Sequence, residues 1–419
     1  MKAYIVSLGC PKNLTDTESL MCKLAQEGYT FTNDPSDADL ILVNTCAFLQ
    51  SAKKEAIDTI KELAKYKARG KGRGPKAKGK CKYLIAAGCL PQRYKNECPE
   101  LLPEVDAFIG TPRQITNYQL QITNYIKATP PWFAYVKIAE GCNNQCAYCV
   151  VPRIRGKLRI RKMNDVLNEV KLLAKAGVAE IIYVAQDTTA YPNFTTLLKK
   201  TARIKGVKWI RIMYAHPAHV SEKIIKTIAR EKKIVKYLDL PIQHAHDKIL
   251  KSMKRRYRRQ DLIKLINKIR REIPKIALRT SVIVGFPGEG DGEFEELLDF
   301  IREVKFQRLG VFTYSKEEGT PAAKMRGQVS EKIKQKRFHK LMQAQARISR
   351  ELNNQLIDKT LDVIIERILS NGYLGRSYMD APEIDGSVLV KSNKTLKPGK
   401  IVKARITQAK TYDLVGFAP

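Results

Sequence analysis

The sequence predicts an α/β protein in three parts. An N-terminal parallel-sheet α/β domain covers 1–126, a central partial (β/α)6 barrel covers 127–350, and a small antiparallel β-barrel covers 351–419. Three observations carry this prediction. Short apolar runs alternate with helical patterns in the first third, the signature of βα units on a parallel sheet. Six further strand-like runs, most followed by an amphipathic helix, fill the middle. The end of the chain alternates strand runs with Gly and Pro turns.

In the first part, "AYIVSLGC" ends at Cys10, "LILVNTC" at Cys46 and "YLIAAGC" at Cys89, with helical patterns over 16–27 and 50–66. The carboxyl ends of parallel strands face a common crevice, so these three cysteines are expected to converge on one edge. From Phe133 onward come "FAYVKIA", "EIIYVA", "KWIRIMY", "VKYLDL", "ALRTSVIVGF" and "RLGVFTYS", with helices predicted over 163–176 and 260–273. Six units suit an open barrel better than a closed eight-fold one. The strand count ends near Thr320, and a basic helix over 330–352 leads out. The last part reads "TLDVIIERIL", "SVLVKS" and "KIVKARITQAKTYDLVGFA".

At 419 residues, 44% hydrophobic and 28% charged, the composition is that of a soluble globular protein with several cores. No run of about eighteen apolar residues is present, so no membrane span is expected. The N-terminus lacks the apolar core and cleavage site of a secretory signal, which predicts a cytoplasmic address where thiols stay reduced. Lys plus Arg number 76 against 42 Asp plus Glu, a formal charge of +34. That excess favours RNA and ribosomes as partners, unless it only reflects a lysine-rich genome. A glycine-containing stretch over 65–82, with basic residues and no acidic ones, reads as a mobile loop, either an RNA arm or a solvated insertion. The duplicated "QITNYQLQITNY" over 114–125 reads as an enlarged linker.

The chain has nine cysteines, and "CNNQCAYC" places Cys142, Cys146 and Cys149 in eight residues, directly after the first barrel strand. Three thiolates leave one iron of a [4Fe-4S] cubane open, and an open position admits a chelating ligand. Structural zinc would require a fourth Cys or His at short range, and the next histidine along the chain is His216. By the strand-end rule, Cys10, Cys46 and Cys89 form a second open triplet. Cys22 and Cys98 read as core or incidental, and Cys81, in the basic insert, as a free thiol. "AQDTTAY" sets Gln186, Asp187 and Thr188 just beyond a strand as polar cofactor or substrate contacts. "VIVGFPGE" ends another strand with Gly285 and Gly288, which permit close backbone approach. His216, His219, His244 and His246 follow strands without a matched nucleophile and read as structural. The basic run from Lys248 to Arg259 reads as a solvated face or a ribosome-facing strip.

"GCNNQCAYCVVP" resembles the motif of the radical S-adenosylmethionine superfamily. The resemblance implies that the open iron binds S-adenosylmethionine. One electron, from a donor such as flavodoxin or ferredoxin, then cleaves the cofactor to a 5′-deoxyadenosyl radical. Tyr148 matches an aromatic near the adenine, and "VIVGFPGE" resembles a second cofactor-contacting motif. Two three-cysteine clusters followed by a TRAM-like barrel resemble the methylthiotransferase family over essentially the whole chain. "SLGCPKNLTDTES", "NTCAF", "GCLPQRY", "QDTTAYP", "LPIQHA" and "GRSYMDAPEIDG" are similar to its RimO branch. That branch modifies the β-carbon of an aspartate in small-ribosomal-subunit protein twelve. The tRNA-modifying MiaB branch carries Gly-Cys-Gln-Met-Asn at the first cysteine instead. Departures from the pattern are the basic insert, the duplicated linker, and "KLRIRK" where a serine is expected between the arginines.

Inserting a methylthio group at an unactivated carbon is beyond acid-base chemistry at neutral pH, so a carbon radical is needed. The resemblance implies two [4Fe-4S] clusters facing one cavity. One S-adenosylmethionine methylates a sulfur at the auxiliary centre, and a second supplies the radical. Two other functions compete. A tRNA methylthiotransferase would use the basic surface, and an RNA-binding iron-sulfur redox sensor would need neither a second open cluster nor a cofactor-binding turn.

Overall fold

The computed structural model describes residues 1–68, 79–111 and 126–419. The duplicated linker and most of the basic insert lie outside the described residues.

Five parallel strands form the first sheet, in the order Thr30–Phe31, Lys2–Ser7, Leu40–Thr45, Tyr83–Gly88, Ala107–Ile109. The three strands that run into cysteines are therefore neighbours. The first helix, Pro11–Gln26, starts earlier than the 16 expected from its apolar pattern. Pro11 occupies the first turn and Cys10 is the N-cap, an arrangement proline tolerates because its missing N–H would have no partner there. The early turns escaped the apolar periodicity because they bury polar side chains: Asn13, Thr15, Asp16, Thr17 and Glu18. The second helix, Gln50–Leu63, continues into a 3-10 turn at Ala64–Tyr66 as predicted. Cys22 and Cys98 are buried, Cys98 opening a short helix. Cys81 is a free thiol, as expected, but it is buried, and its Sγ donates to the Tyr83 carbonyl at 3.1 Å.

The middle sheet has the six expected strands, all parallel, in the order Arg308–Thr313, Ala277–Val284, Ile234–Asp239, Trp209–Ile212, Glu180–Val184, Phe133–Lys137. Helices Met163–Lys175 and Arg259–Glu272 fall within a residue of prediction, and the basic helix is Glu331–Asn354. The strand faces toward the helices build the largest core.

The C-terminal strands Thr360–Leu369, Gly372–Ser377, Val388–Ser392, Leu414–Ala418 and Ile401–Ala409 close into a barrel. One pairing, Val388–Ser392 with Leu414–Ala418, is parallel, where an antiparallel barrel was expected. This small barrel completes the larger one. Met379 and Ala381 pack with Phe133, Tyr135, Ile182 and Tyr237 from the barrel strands. Polar contacts fix the same loop: Arg376 donates to Glu180 Oε2 at 2.7 Å, Arg211 to the Tyr378 carbonyl at 2.9 Å, Arg308 to Asp380 at 2.6 Å and Tyr237 to Asp385 at 2.7 Å. Buried arginines are tolerable only with carboxylate partners, and here Arg211 and Arg376 share Glu180. The motif "GRSYMDAPEIDG" thus serves as a polar stopper for the open side of the central barrel.

Candidate metal centres

Each triplet is built on Gly-Cys dipeptides whose glycines take a left-handed backbone: φ is 89° at Gly9, 91° at Gly88 and 79° at Gly141. A Cβ at Gly9 would lie 2.6 Å from Cys46 Cβ, and one at Gly88 would lie 2.2 Å from Asn44 Oδ1. Only glycine allows both the turn and the approach. The result brings Cys10, Cys46 and Cys89 together at the carboxyl edge of the first sheet. Burial drives the Cys46 thiol up to about 12, with the charges of Cys89 and Cys10 adding to it. Burial also raises Cys89. At Cys10 burial acts in the same direction, but Lys12, the Asn13 amide and Arg155 outweigh it and hold this thiol below its ordinary value.

The loop triplet is equally provided with N–H donors. The Asn144 amide donates to Cys142 Sγ, the Val151 amide to Cys149 Sγ and Arg255 Nη1 to Cys146 Sγ, all at 3.4 Å. Burial raises Cys142 and pushes Cys149 up to about 12, with Cys146 contributing next. Such thiols give up their protons to a metal, which makes binding pH-dependent. Among the described residues, only Asp187, His216 and His219 bring three ligand atoms within 4.8 Å of one another. Three thiols with N–H···S donors are ligands suited to an iron-sulfur cluster.

Between the triplets lies a buried ionic network. Lys137 donates to Asp16 and, at 2.7 Å, to Glu140 Oε2. Arg155 donates to Asp16 at 2.5 Å, Glu140 at 3.2 Å, Asn13 Oδ1 at 3.0 Å and Cys89 Sγ at 3.2 Å. Glu140 Oε1 accepts from Gln186 Nε2 at 2.7 Å. Burial alone would raise Glu140, but Lys137 and Arg155 hold it down to about 2. The network joins the first sheet to the barrel mouth, and the sequence reading missed Asn13, Asp16, Lys137, Glu140 and Arg155. Asn13 and Asp16 lie in the quoted "SLGCPKNLTDTES" on the first helix and Lys137 ends the first barrel strand, whereas Glu140 and Arg155 flank the cysteine loop and carried no signal of their own.

The predicted contact residues lie around the same mouth. Gln186 Oε1 is buried and lacks a donor, an acceptor suited to an ammonium or hydroxyl group. Asp187 accepts from Asn144, Thr189 and His219; burial would raise its carboxyl, but His219 and Thr189 outweigh it and hold it below the usual range. Thr188 spends its hydroxyl on the Met213 carbonyl. Tyr148 packs beside Phe286 and Tyr314, its hydroxyl 3.5 Å from Arg255. Gly285 has φ 73°, and Lys334 of the long basic helix fills the side where its Cβ would be; Gly288, at φ 83°, is open on that side. Glu289 Oε1 accepts from the Gly285 amide and from Arg337, pinning this turn. His216, distant in sequence, lines a cavity with Asn144, Gln145, Cys146, Lys254 and Arg256. His244 is fully buried. Arg255, read as part of a solvated or ribosome-facing run, instead turns inward to Cys146, Tyr148 and the Pro241 carbonyl.

Residues 136–301 match the Radical SAM superfamily, 2–110 match the uncharacterized protein family UPF0004, and 357–418 match the TRAM domain. The chain is 44% identical over 440 residues to "Ribosomal protein uS12 methylthiotransferase RimO" of Thermoanaerobacter sp. (strain X514), covering 98% of each. It is 45% identical over 447 residues to the protein of the same name from Geobacter sulfurreducens, covering 99% of this chain and 98% of that one. The chain belongs to the RimO family. Among solved structures, the radical S-adenosylmethionine methyltransferase TsrM of Kitasatospora setae is similar in fold, with a TM-score of 0.56 at 13% identity over 83% of this chain and 89% of that one. The RimO-family chain is accordingly a radical SAM protein that uses an iron-sulfur cluster and S-adenosylmethionine. Among the described residues, no helix is long and apolar enough to cross a membrane.

Proposed function

We propose that this chain is a radical SAM methylthiotransferase that adds a methylthio group to the β-carbon of an aspartate in ribosomal protein uS12. Its functional divisions are 1–126, 127–350 and 351–419. Cys142, Cys146 and Cys149 hold one [4Fe-4S] cluster, and Cys10, Cys46 and Cys89 hold a second. When bound, the first with S-adenosylmethionine supplies a carbon-centred radical, and the second supplies the sulfur. The observation that supports the reading is the buried network from Cys89 through Arg155 and Glu140 to Gln186, which links the first-domain cysteines to the barrel end that carries Gln186.

The remaining residues position and shield. Gln186 Oε1 offers an acceptor to the cofactor, and Asp187, held by Asn144 and His219, fixes the cysteine loop against the barrel. Tyr148, Thr188, Gly285 and Gly288 wall the cofactor side. The stopper of the C-terminal barrel closes the interior from below, excluding water from the radical. The partner is uS12, free or in the subunit, approached through the TRAM-like barrel and the basic surface with RNA contact. The electron donor is a flavodoxin or ferredoxin, and the work is cytoplasmic. Mass spectrometry of ribosomal proteins and digested tRNA from a deletion strain tests this. Loss of the methylthio mark on uS12 is expected; loss on tRNA adenosine, or on neither, would replace it with one of the two competing functions.

A further inference from the structure

The two triplets differ in the origin of their arginine. Arg255 reaches Cys146 from a loop of the same barrel. Arg155 also belongs to the barrel, at the end of the helix Val151–Arg155 that begins two residues after Cys149, yet its donor goes to Cys89 of the other triplet. Resting on the two-cluster reading above, we propose that Arg155 is a positioning residue for the N-terminal centre, a cation carried by one cluster's loop that sets the reduction potential of the other.

Three features support it. Arg155 is only 5% exposed, so its charge acts without much screening. Both terminal nitrogens are committed, Nη1 to Asp16 and Glu140 and Nη2 to Asn13 and Cys89, so the fork is held in one orientation. The four charges in contact, Arg155 and Lys137 against Asp16 and Glu140, sum to zero. Removing Arg155 therefore leaves a net negative charge beside Cys89 as well as a lost N–H···S bond. Reduction adds an electron to a cluster, and both changes disfavour it; net charge and hydrogen bonds to sulfur are established determinants of cluster potential.

The test uses the reconstituted full chain with Cys142, Cys146 and Cys149 all changed to Ala, so that any cluster signal comes from the N-terminal triplet. EPR-monitored redox titration is then compared across variants. Arg155→Gln is expected to shift the midpoint to more negative potential and to alter the spectrum. Arg155→Lys, which keeps the charge but not the fork, should shift it less in the same direction, and Asp16→Asn should shift it to more positive potential. If Arg155→Gln does not fold, the opposite shifts of Arg155→Lys and Asp16→Asn carry the test. Midpoints equal to the parent in the variants that fold would overturn the inference. A parent chain with no cluster would instead overturn the two-cluster reading. In the otherwise native chain with both triplets, Arg255→Lys should move only the loop cluster, and movement of both would reject the assignment of one arginine to each centre.

Discussion

The two cysteine triplets reach similar local chemistry by opposite routes. Cys142, Cys146 and Cys149 come from one loop, whereas Cys10, Cys46 and Cys89 come from the ends of three adjacent strands and meet only once the first sheet is folded. A local triplet depends on one turn, here shaped by Gly141. A dispersed triplet depends on sheet order, on two glycines and on the helix cap at Cys10. The first should therefore survive damage to the rest of the chain better than the second, and it is the one we propose to generate the radical.

The largest expected effect separates the two by product. Cys142→Ala should abolish reductive cleavage of S-adenosylmethionine, whereas Cys46→Ala should leave 5′-deoxyadenosine formation measurable while abolishing methylthio transfer. Iron content should fall from about eight per chain to about four in either case. Equal loss of 5′-deoxyadenosine in both variants would break the comparison.

Much of this was legible from sequence because its signals are periodic or spaced. The loop triplet followed from C-x3-C-x2-C, and the dispersed one from three strand runs that each end at a cysteine. The stopper formed by Arg376, Asp380 and Asp385 was visible only as a motif, because its buried charges make sense once Glu180, Arg211 and Arg308 face them across the barrel. Arg155 and Arg255 were hidden for the same reason: a charged residue in sequence looks solvated until its partners are placed. Folding also brings His216, far from the cysteine loop in sequence, to the cavity of Cys146.

The stopper gives the next largest effect. Arg376→Ala would leave Glu180 and Glu366 with one cationic partner fewer in a dry interior, a cost of about 3–5 kcal/mol by analogy with other broken buried pairs. Denaturant unfolding of the metal-free chain should report that loss. A cost under about 1 kcal/mol would mean that the C-terminal barrel is only tethered to the central one.

Glycine substitutions sharpen the contrast between centres. Gly9 and Gly177 have nearly the same φ, 89° and 91°, but a Cβ at Gly177 meets nothing within 4 Å. Gly177→Ala should therefore cost only about 1 kcal/mol of backbone strain. Gly9→Ala adds the collision with Cys46 and should cost about 2–3 kcal/mol, with iron lost from the N-terminal triplet alone. Iron loss from both triplets would show that the two sites fold as one unit.

The smallest effect, over a window of about one pH unit, is proton linkage at His216, beside the loop triplet. Burial comes first in lowering this imidazole to about 3; Arg255 lowers it further, Asp187 opposes, and His219 and Arg256 add to the lowering. Its Nδ1 accepts from the Ala218 amide at 3.2 Å, a bond available only to the neutral ring. Because the folded value lies below the unfolded one of about 6.5, the unfolded chain binds the extra proton first. Stability is full above pH ~6.5 and falls as pH drops toward 3, by about 1.4 kcal/mol per unit from this group. His216→Asn can keep the acceptor for Ala218 but does not titrate. With only five histidines in the chain, the metal-free variant should show a visibly shallower stability profile between about pH 6 and 5, a window above most carboxylates. An unchanged slope would place His216 in solvent.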